Sequence, residues 1–419
     1  MLDRKIAPTF AKEFSFVLPA PQIIELGNGI PITWLNGLQQ EVAKIEIIFQ
    51  AGKWYESKPG VSYFTANMLE KGTRELTSTK IAERLDQQGA QVEISAGSDY
   101  TSVGLYSLVK NLDQTLPILL QIIQQPSFDE DELTLLSDIF LENLKVSNEK
   151  TGVVASKTLQ RNIFGKNHPY GRSVEPADVG QVTASDLHSF FKKTFVPYQV
   201  FITGNLRPSQ IDAVSQFISS YAQIQFSNSA MPNENGKPFG ENVTKENSVQ
   251  SSVRLGRITL SKSHPDYGGL LLLNHILGGY FGSRLMKNIR EEKGLTYGIS
   301  SSIHSHLNAG FMAIATDVNK EKLEPTLVEI KKEIRFLLDI PIPSAELEIS
   351  KNHFLGNLQL EISNPFSAMD KIKSLKLSNL PSNYYSDLFY KVTTITDGQL
   401  QAIANEWLVP ESFYQVTVG

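Results

Sequence analysis

The chain has 419 residues, 41% of them hydrophobic and 20% charged, enough to bury large cores in about two to four domains. Its net charge of −5, with no long Lys/Arg run, disfavours nucleic acid and anionic membranes as partners. It has no cysteine, which excludes thiolate metal sites, disulfides and cysteine nucleophiles.

The amino-terminal "MLDRKIAPTFAKEF" lacks the apolar stretch of a signal peptide. No run approaches the roughly 20 apolar residues of a membrane span. A soluble protein of the cytoplasm or periplasm, with no membrane span, is expected. "KIEIIFQAGKWYE" (44–56) alternates with period two and predicts a strand. "GVSYFTANMLEKGT" (60–73) then predicts a helix bounded by Pro59-Gly60 and Gly72. Val61, Phe64, Met68 and Leu69 form its apolar stripe, and Tyr63, Ala66 and Asn67 share another face. Residues 90–109 predict two strands around a turn, followed by helices at 112–125 and 129–146. His168, in the turn-like "GKNHPYG", fits a structural hydrogen-bonding role, because no acid or nucleophile accompanies it in sequence. Helices follow at 183–193 and 207–221.

Residues 228–248, "NSAMPNENGKPFGENVTKENS", have the composition of a linker. The expected organisation is an amino-half domain at 1–222, a linker at 223–247 and a carboxyl-half domain at 248–419. Beyond the linker, "SVRLGRITLSKSH" (252–264) and residues 308–318 predict strands. Helices are expected near 266–278, 283–293, 320–338, 344–361 and 397–407. Gly294 is placed to stop the 283–293 helix. Arg290 then lies in its last turn and Tyr297 at the start of the next strand. The plain reading of this pair is a cation at the negative helix end and a half-buried aromatic. His304 and His306, two apart in a strand, face the same way but have no third metal ligand nearby in sequence. No G-x-S-x-G elbow, dinucleotide fingerprint or P-loop is present.

The two halves repeat one another. At an offset of 208, Ile45 falls on Val253, Asn67 on His275, Leu69 on Leu277 and Pro117 on Pro325. At 214, Glu132-Leu133 fall on Glu346-Leu347, and "FLENL" (140–144) on "FLGNL" (354–358). At 213, residues 182–197 fall on 395–410. An ordered series at nearly constant offset signals a tandem duplication. Runs of strands followed by helices, without strict βαβ alternation, give an α+β class. Each half is expected to be a mainly antiparallel sheet with helices on one face.

On these features the chain resembles the pitrilysin/insulinase family of zinc peptidases. More narrowly, it resembles the two-domain subunits of bacterial heterodimeric peptidases and of mitochondrial processing peptidase. The most specific stretch is "LLLLNHILGGYFGSRLMKNIREEKGLTYGISSS". Catalytic members carry H-x-x-E-H on a helix, with the two His as zinc ligands and the Glu as base. Here Tyr63, Ala66 and Asn67 stand at those three positions. Aligning on "ENLK" puts Asn143, or Glu142 one residue earlier, at the third-ligand position. The resemblance therefore implies no catalytic residue in the zinc motif and no metal in this chain.

Arg290 and Tyr297 match an Arg/Tyr pair with which the family binds substrate and stabilises the tetrahedral intermediate in a partner's site. The implied chain is an incomplete peptidase subunit, inactive alone. Its implied partner is a zinc-bearing homologous subunit, or a second copy of itself. Peptide substrate would be enclosed in a shared chamber, adding to a sheet edge of the zinc subunit that corresponds here to residues 95–105. The alternative is a structural or binding protein of the same fold with no peptidase partner.

Overall fold

A computed structural model describes residues 16–223, 236–246 and 248–419. The amino-terminal stretch at 1–15 lies outside them, as do 224–235 and 247 of the expected linker.

Among the described residues the first half builds six strands, β1 (Gln22–Glu25), β2 (Pro31–Leu35), β3 (Val42–Phe49), β4 (Gln91–Ala96), β5 (Thr101–Leu108) and β6 (Pro197–Thr203). They form one sheet in the order β1-β2-β6-β3-β5-β4. Only the β2–β6 pair is parallel. Its helices are α1 (Val61–Met68), α2 (Ser78–Asp86), α3 (Leu112–Gln124), α4 (Glu130–Glu149), α5 (Thr151–Phe164), α6 (Pro176–Val179), α7 (Ala184–Thr194) and α8 (Pro208–Ser219).

The second half has β7 (Gly240–Val243), β8 (Gln250–Thr259), β9 (Thr296–Ser305), β10 (Gly310–Asn319) and β11 (Tyr414–Val418), in the order β7-β11-β8-β10-β9. Only β7–β11 is parallel. Its α-helices are α9 (Tyr267–Asn274), α10 (Leu323–Asp339), α11 (Ser344–Leu360), α12 (Pro365–Leu377), α13 (Tyr384–Thr394) and α14 (Asp397–Trp407). Two π-helical segments, His275–Gly279 and Met286–Glu292, lie between α9 and β9. Among the described residues no helix is long and apolar enough to cross a membrane.

Local chemistry explains the repeated element ends. Thr183 accepts a hydrogen bond from the Asp186 amide while Asp186 accepts from that of Thr183, a capping box that starts α7. Thr396 and Gln399 do the same for α14, at the 213 offset. The alternating apolar residues of β3 and β6, such as Ile45, Ile47, Val200 and Ile202, turn one face into the first core.

The structure departs from the sequence expectation in how the sheets are covered. Helices lie on both faces, and the second face is covered by the other half. Ala155, Leu159, Ile163 and Phe164 of α5 pack on Phe311, Tyr414, Val416 and Val418 of the second sheet. Reciprocally, Met369 and Ile372 of α12 pack on Leu35, Ile48 and Phe201 of the first. The first residues of these two helices are 214 apart, the offset of the repeat. Gly256 lets α5 lie close, because a Cβ there would stand 2.8 Å from Leu159 Cδ2 and 2.9 Å from the Met312 carbonyl oxygen.

Neither exchanged helix was anticipated from sequence, nor were α2 and α13. Residues 240–243, expected in the linker, instead pair as β7 with β11. Polar contacts lock the exchange. Lys373 on α12 donates to both carboxylate oxygens of buried Glu46, at 2.9 and 2.8 Å. Asp99, in the β4–β5 turn, accepts from the Tyr170 hydroxyl at 2.6 Å and from the Leu307 amide at 3.0 Å.

Candidate functional site

Three groups of residues singled out from sequence lie in three places. The first is α1. Glu56, whose side chain is almost fully buried, accepts from the Ser62 amide at 3.1 Å and its hydroxyl at 2.7 Å, which fixes the helix start. Arg172 holds Glu56 in turn at 2.7 Å. The stripe Val61, Phe64, Met68 and Leu69 is buried in the first core, as its spacing predicts.

The face carrying Tyr63, Ala66 and Asn67 is closed rather than vacant. The Tyr63 ring packs on Phe140 of α4, with centroids 4.9 Å apart. The Asn67 amide donates to the Tyr63 carbonyl at 2.8 Å, one helical turn back. Ala66 is 0% exposed and carries no heteroatom. On α4, Glu142 and Asn143 are both exposed. These residues do not fit a zinc ion. At the two positions that the resemblance gives to His ligands, an aromatic ring packs on Phe140 and an amide turns its donor onto its own backbone.

Sequence reasoning passed over Glu70, three residues beyond Asn67. It makes no hydrogen bond or ion pair among the described residues, and burial raises its carboxyl pKa. Its helical spacing from Asn67 and Ala66 was the available signal.

The second group is Arg290 with Tyr297. Gly294 takes φ +58°, and the Leu295 amide donates back to the Ile289 carbonyl at 2.9 Å, a glycine-stopped helix end. Arg290 sits in the last turn of the Met286–Glu292 segment, its guanidinium 4.6 Å from the centroid of the exposed Phe281 ring. It makes no ion pair among the described residues. Tyr297 is not half-buried, as its plain reading had it, but 91% exposed. It lies on β9, an edge strand of the second sheet. With Arg254 and Asp317 it lines a cavity of about 410 Å3. Arg254 and Asp317 also border a cavity of about 1110 Å3 beside the α4–α5 junction. Arg290 and Tyr297 belong to the second half and the α1 face to the first.

The third group is the histidines. His168 is 3% exposed and its Nδ1 accepts from the Tyr170 amide at 3.1 Å, a structural role. His304 stacks on Phe311 with centroids 4.5 Å apart, and His306 stacks on Tyr170 at 4.1 Å. Burial lowers the pKa of both. They pack against rings, and among the described residues no group of three or more His, Cys, Asp or Glu is placed to hold a metal.

Residues 35–177 match the family model described as "Insulinase (Peptidase family M16)", and residues 181–354 match "Peptidase M16 inactive domain". The chain belongs to the insulinase, or M16, peptidase family, and its second half is of the kind described as an inactive domain. It is 26% identical over 351 residues to an uncharacterized zinc protease, YmxG, of Bacillus subtilis, covering 82% of this chain and 85% of that one. A second uncharacterized zinc protease, of Rickettsia bellii, is 25% identical over 81% of this chain and 83% of its own. The fold matches a solved M16 inactive domain from Pseudomonas fluorescens with a TM-score of 0.87, at 23% identity, over 95% of this chain and 98% of that one. A Helicobacter pylori protease superposes with a TM-score of 0.83 at 17% identity, over 96% of this chain and 99% of the other.

Proposed function

We propose that this chain is the zinc-lacking subunit of a heterodimeric peptidase. It closes a chamber with a zinc-bearing homologous chain and presents Arg290 and Tyr297 to the peptide held there. The observation that carries this reading is the contrast between the two sites. The α1 face is filled by its own side chains, whereas Tyr297 is 91% exposed on an edge strand. An edge strand leaves one side of its backbone unpaired, so Tyr297 stands where another chain can reach it. Arg290 has no carboxylate to neutralise it among the described residues. A guanidinium and a phenol are hydrogen-bond donors, and donors aimed at a developing oxyanion lower its energy.

The test is co-purification with an H-x-x-E-H-bearing homologue encoded in the same genome, followed by a peptide-cleavage assay of the complex. Arg290→Ala and Tyr297→Phe are each expected to lower kcat by about 10²-fold or more without breaking the complex. Unchanged activity in both variants would sink the assigned contribution. A chain that captures no such homologue is a scaffold of this fold instead.

A further inference from the structure

The second half carries a different set of side chains where the first half has its closed face. At the 208 offset His275 stands where Asn67 stands, and at 214 Asn357 stands where Asn143 stands. His353 lies one turn before Asn357 on α11. The fold brings the three together. His275 Nε2 is 3.0 Å from His353 Nδ1, and the Asn357 side-chain amide is 3.3 Å from that same Nδ1.

The inner imidazole is held rigidly. His275 is 7% exposed, and its ring lies parallel to Tyr280 at 4.5 Å and edge-on to Phe354 at 5.4 Å. Tyr280 is itself within 3.3 Å of the Ser350 hydroxyl. His353 and Asn357 are exposed, so this side is open to solvent. A cavity of about 460 Å3, lined by His275 and Asn357, lies against the cluster. His275 also opens a π-helical segment, an irregularity that favours functional positions.

His353 Nδ1 has one lone pair to offer, yet two groups crowd it. Turning the Asn357 amide over presents its oxygen instead. We propose that His275 Nε2 and His353 Nδ1 bind one divalent first-row transition ion, with the Asn357 amide oxygen as third ligand and water completing the shell. Nitrogens 3.0 Å apart, each about 2.05 Å from one ion, subtend about 95°. That is nearer the right angle of tetragonal and octahedral coordination than the tetrahedral angle. Imidazole ligands at such angles suit Cu2+ and Ni2+ better than Zn2+. In the metal-free chain the two nitrogens meet in a hydrogen bond, so binding requires exposed His353 to rotate and bring its lone pair onto the ion. The bound ion would clip α11 to the segment that follows α9, and would stabilise the folded chain by mass action.

The experiment is a titration of the tag-free full-length chain with Cu2+, followed by electron paramagnetic resonance and thermal melting. One equivalent is expected to bind with a two-nitrogen signature and raise Tm. H353A, a change at an exposed residue, should keep the metal-free Tm and weaken binding by about tenfold or more. A double variant, H304A with H306A, should bind as the natural chain does. Absence of stoichiometric binding overturns the assignment. So does binding that survives H353A, or binding lost with His304 and His306.

Discussion

The same helix position in the two halves makes opposite use of its polar face. In the first half, α1 buries Ala66 and seals Tyr63 against Phe140, and Asn67 bonds its own backbone. In the second, α9 passes into a π-helical segment at His275, whose imidazole meets His353. The packing residues barely differ. Phe64, Met68 and Leu69 are 0% exposed, and their equivalents Leu272, Ile276 and Leu277 are 0–1% exposed. The stripe that docks a helix is therefore separable from the face that carries chemistry. A duplicated domain can lose or exchange the second while burial preserves the first.

The sharpest way to break this comparison is to restore the first face. Ala66→Glu puts a carboxylate at a fully buried position, and should destabilise the chain by about 3–5 kcal/mol. The matching change in the other half, Asn274→Ala, removes only a 3.3 Å bond to the Ser301 carbonyl and should lower stability by about 1 kcal/mol. Urea unfolding of both variants checks this. Equal losses would mean that the two faces are built alike.

A second change tests the exchanged helices. Leu159→Ala on α5, at 2% exposure, should lower stability by about 2–5 kcal/mol. Although Leu159 precedes the linker, amide hydrogen exchange should accelerate in β8 and β11 and stay slow in β3 and β6. Loss of protection in the first sheet would return α5 to the first half's core.

The smallest effect concerns Glu70. Burial raises its folded-state pKa, so the folded chain holds this proton more tightly than the unfolded chain does. The associated stability is fully present below about pH 4.5 and declines as pH rises through the folded pKa. Glu70→Gln should then raise Tm at pH 7 and leave it nearly unchanged at pH 4. A Tm gain of equal size at both pH values would show that charge burial is not the cause.

Much of the local structure was legible before any coordinates. The helix expected at 183–193 forms as α7, its start set by the side chains of Thr183 and Asp186. Gly294 marks a helix stop because its φ of +58° favours glycine. The α1 stripe could be read from spacing, since period 3.6 puts those side chains on one side. The α5 helix was missed, although Ala155, Leu159 and Ile163 recur every fourth residue. Even a correct helix assignment there would not have told which sheet it covers. The exposure of Tyr297 was equally hidden, because period two fixes a strand's faces but not whether the strand lies at an edge.

The sequence by itself determined the duplication, the helix stop at Gly294, the class of the fold and the absence of His and Glu at positions 63, 66 and 67. These depend on residue identity and short-range spacing, which one chain displays in full. Only the tertiary structure decided that α5 and α12 trade places, that the Tyr63 face is plugged by Phe140, and that His275 meets His353. Each of these joins residues from 77 to more than 300 positions apart. Such contacts are set by the shape of the buried surfaces, a property of the packed chain rather than of any window along it.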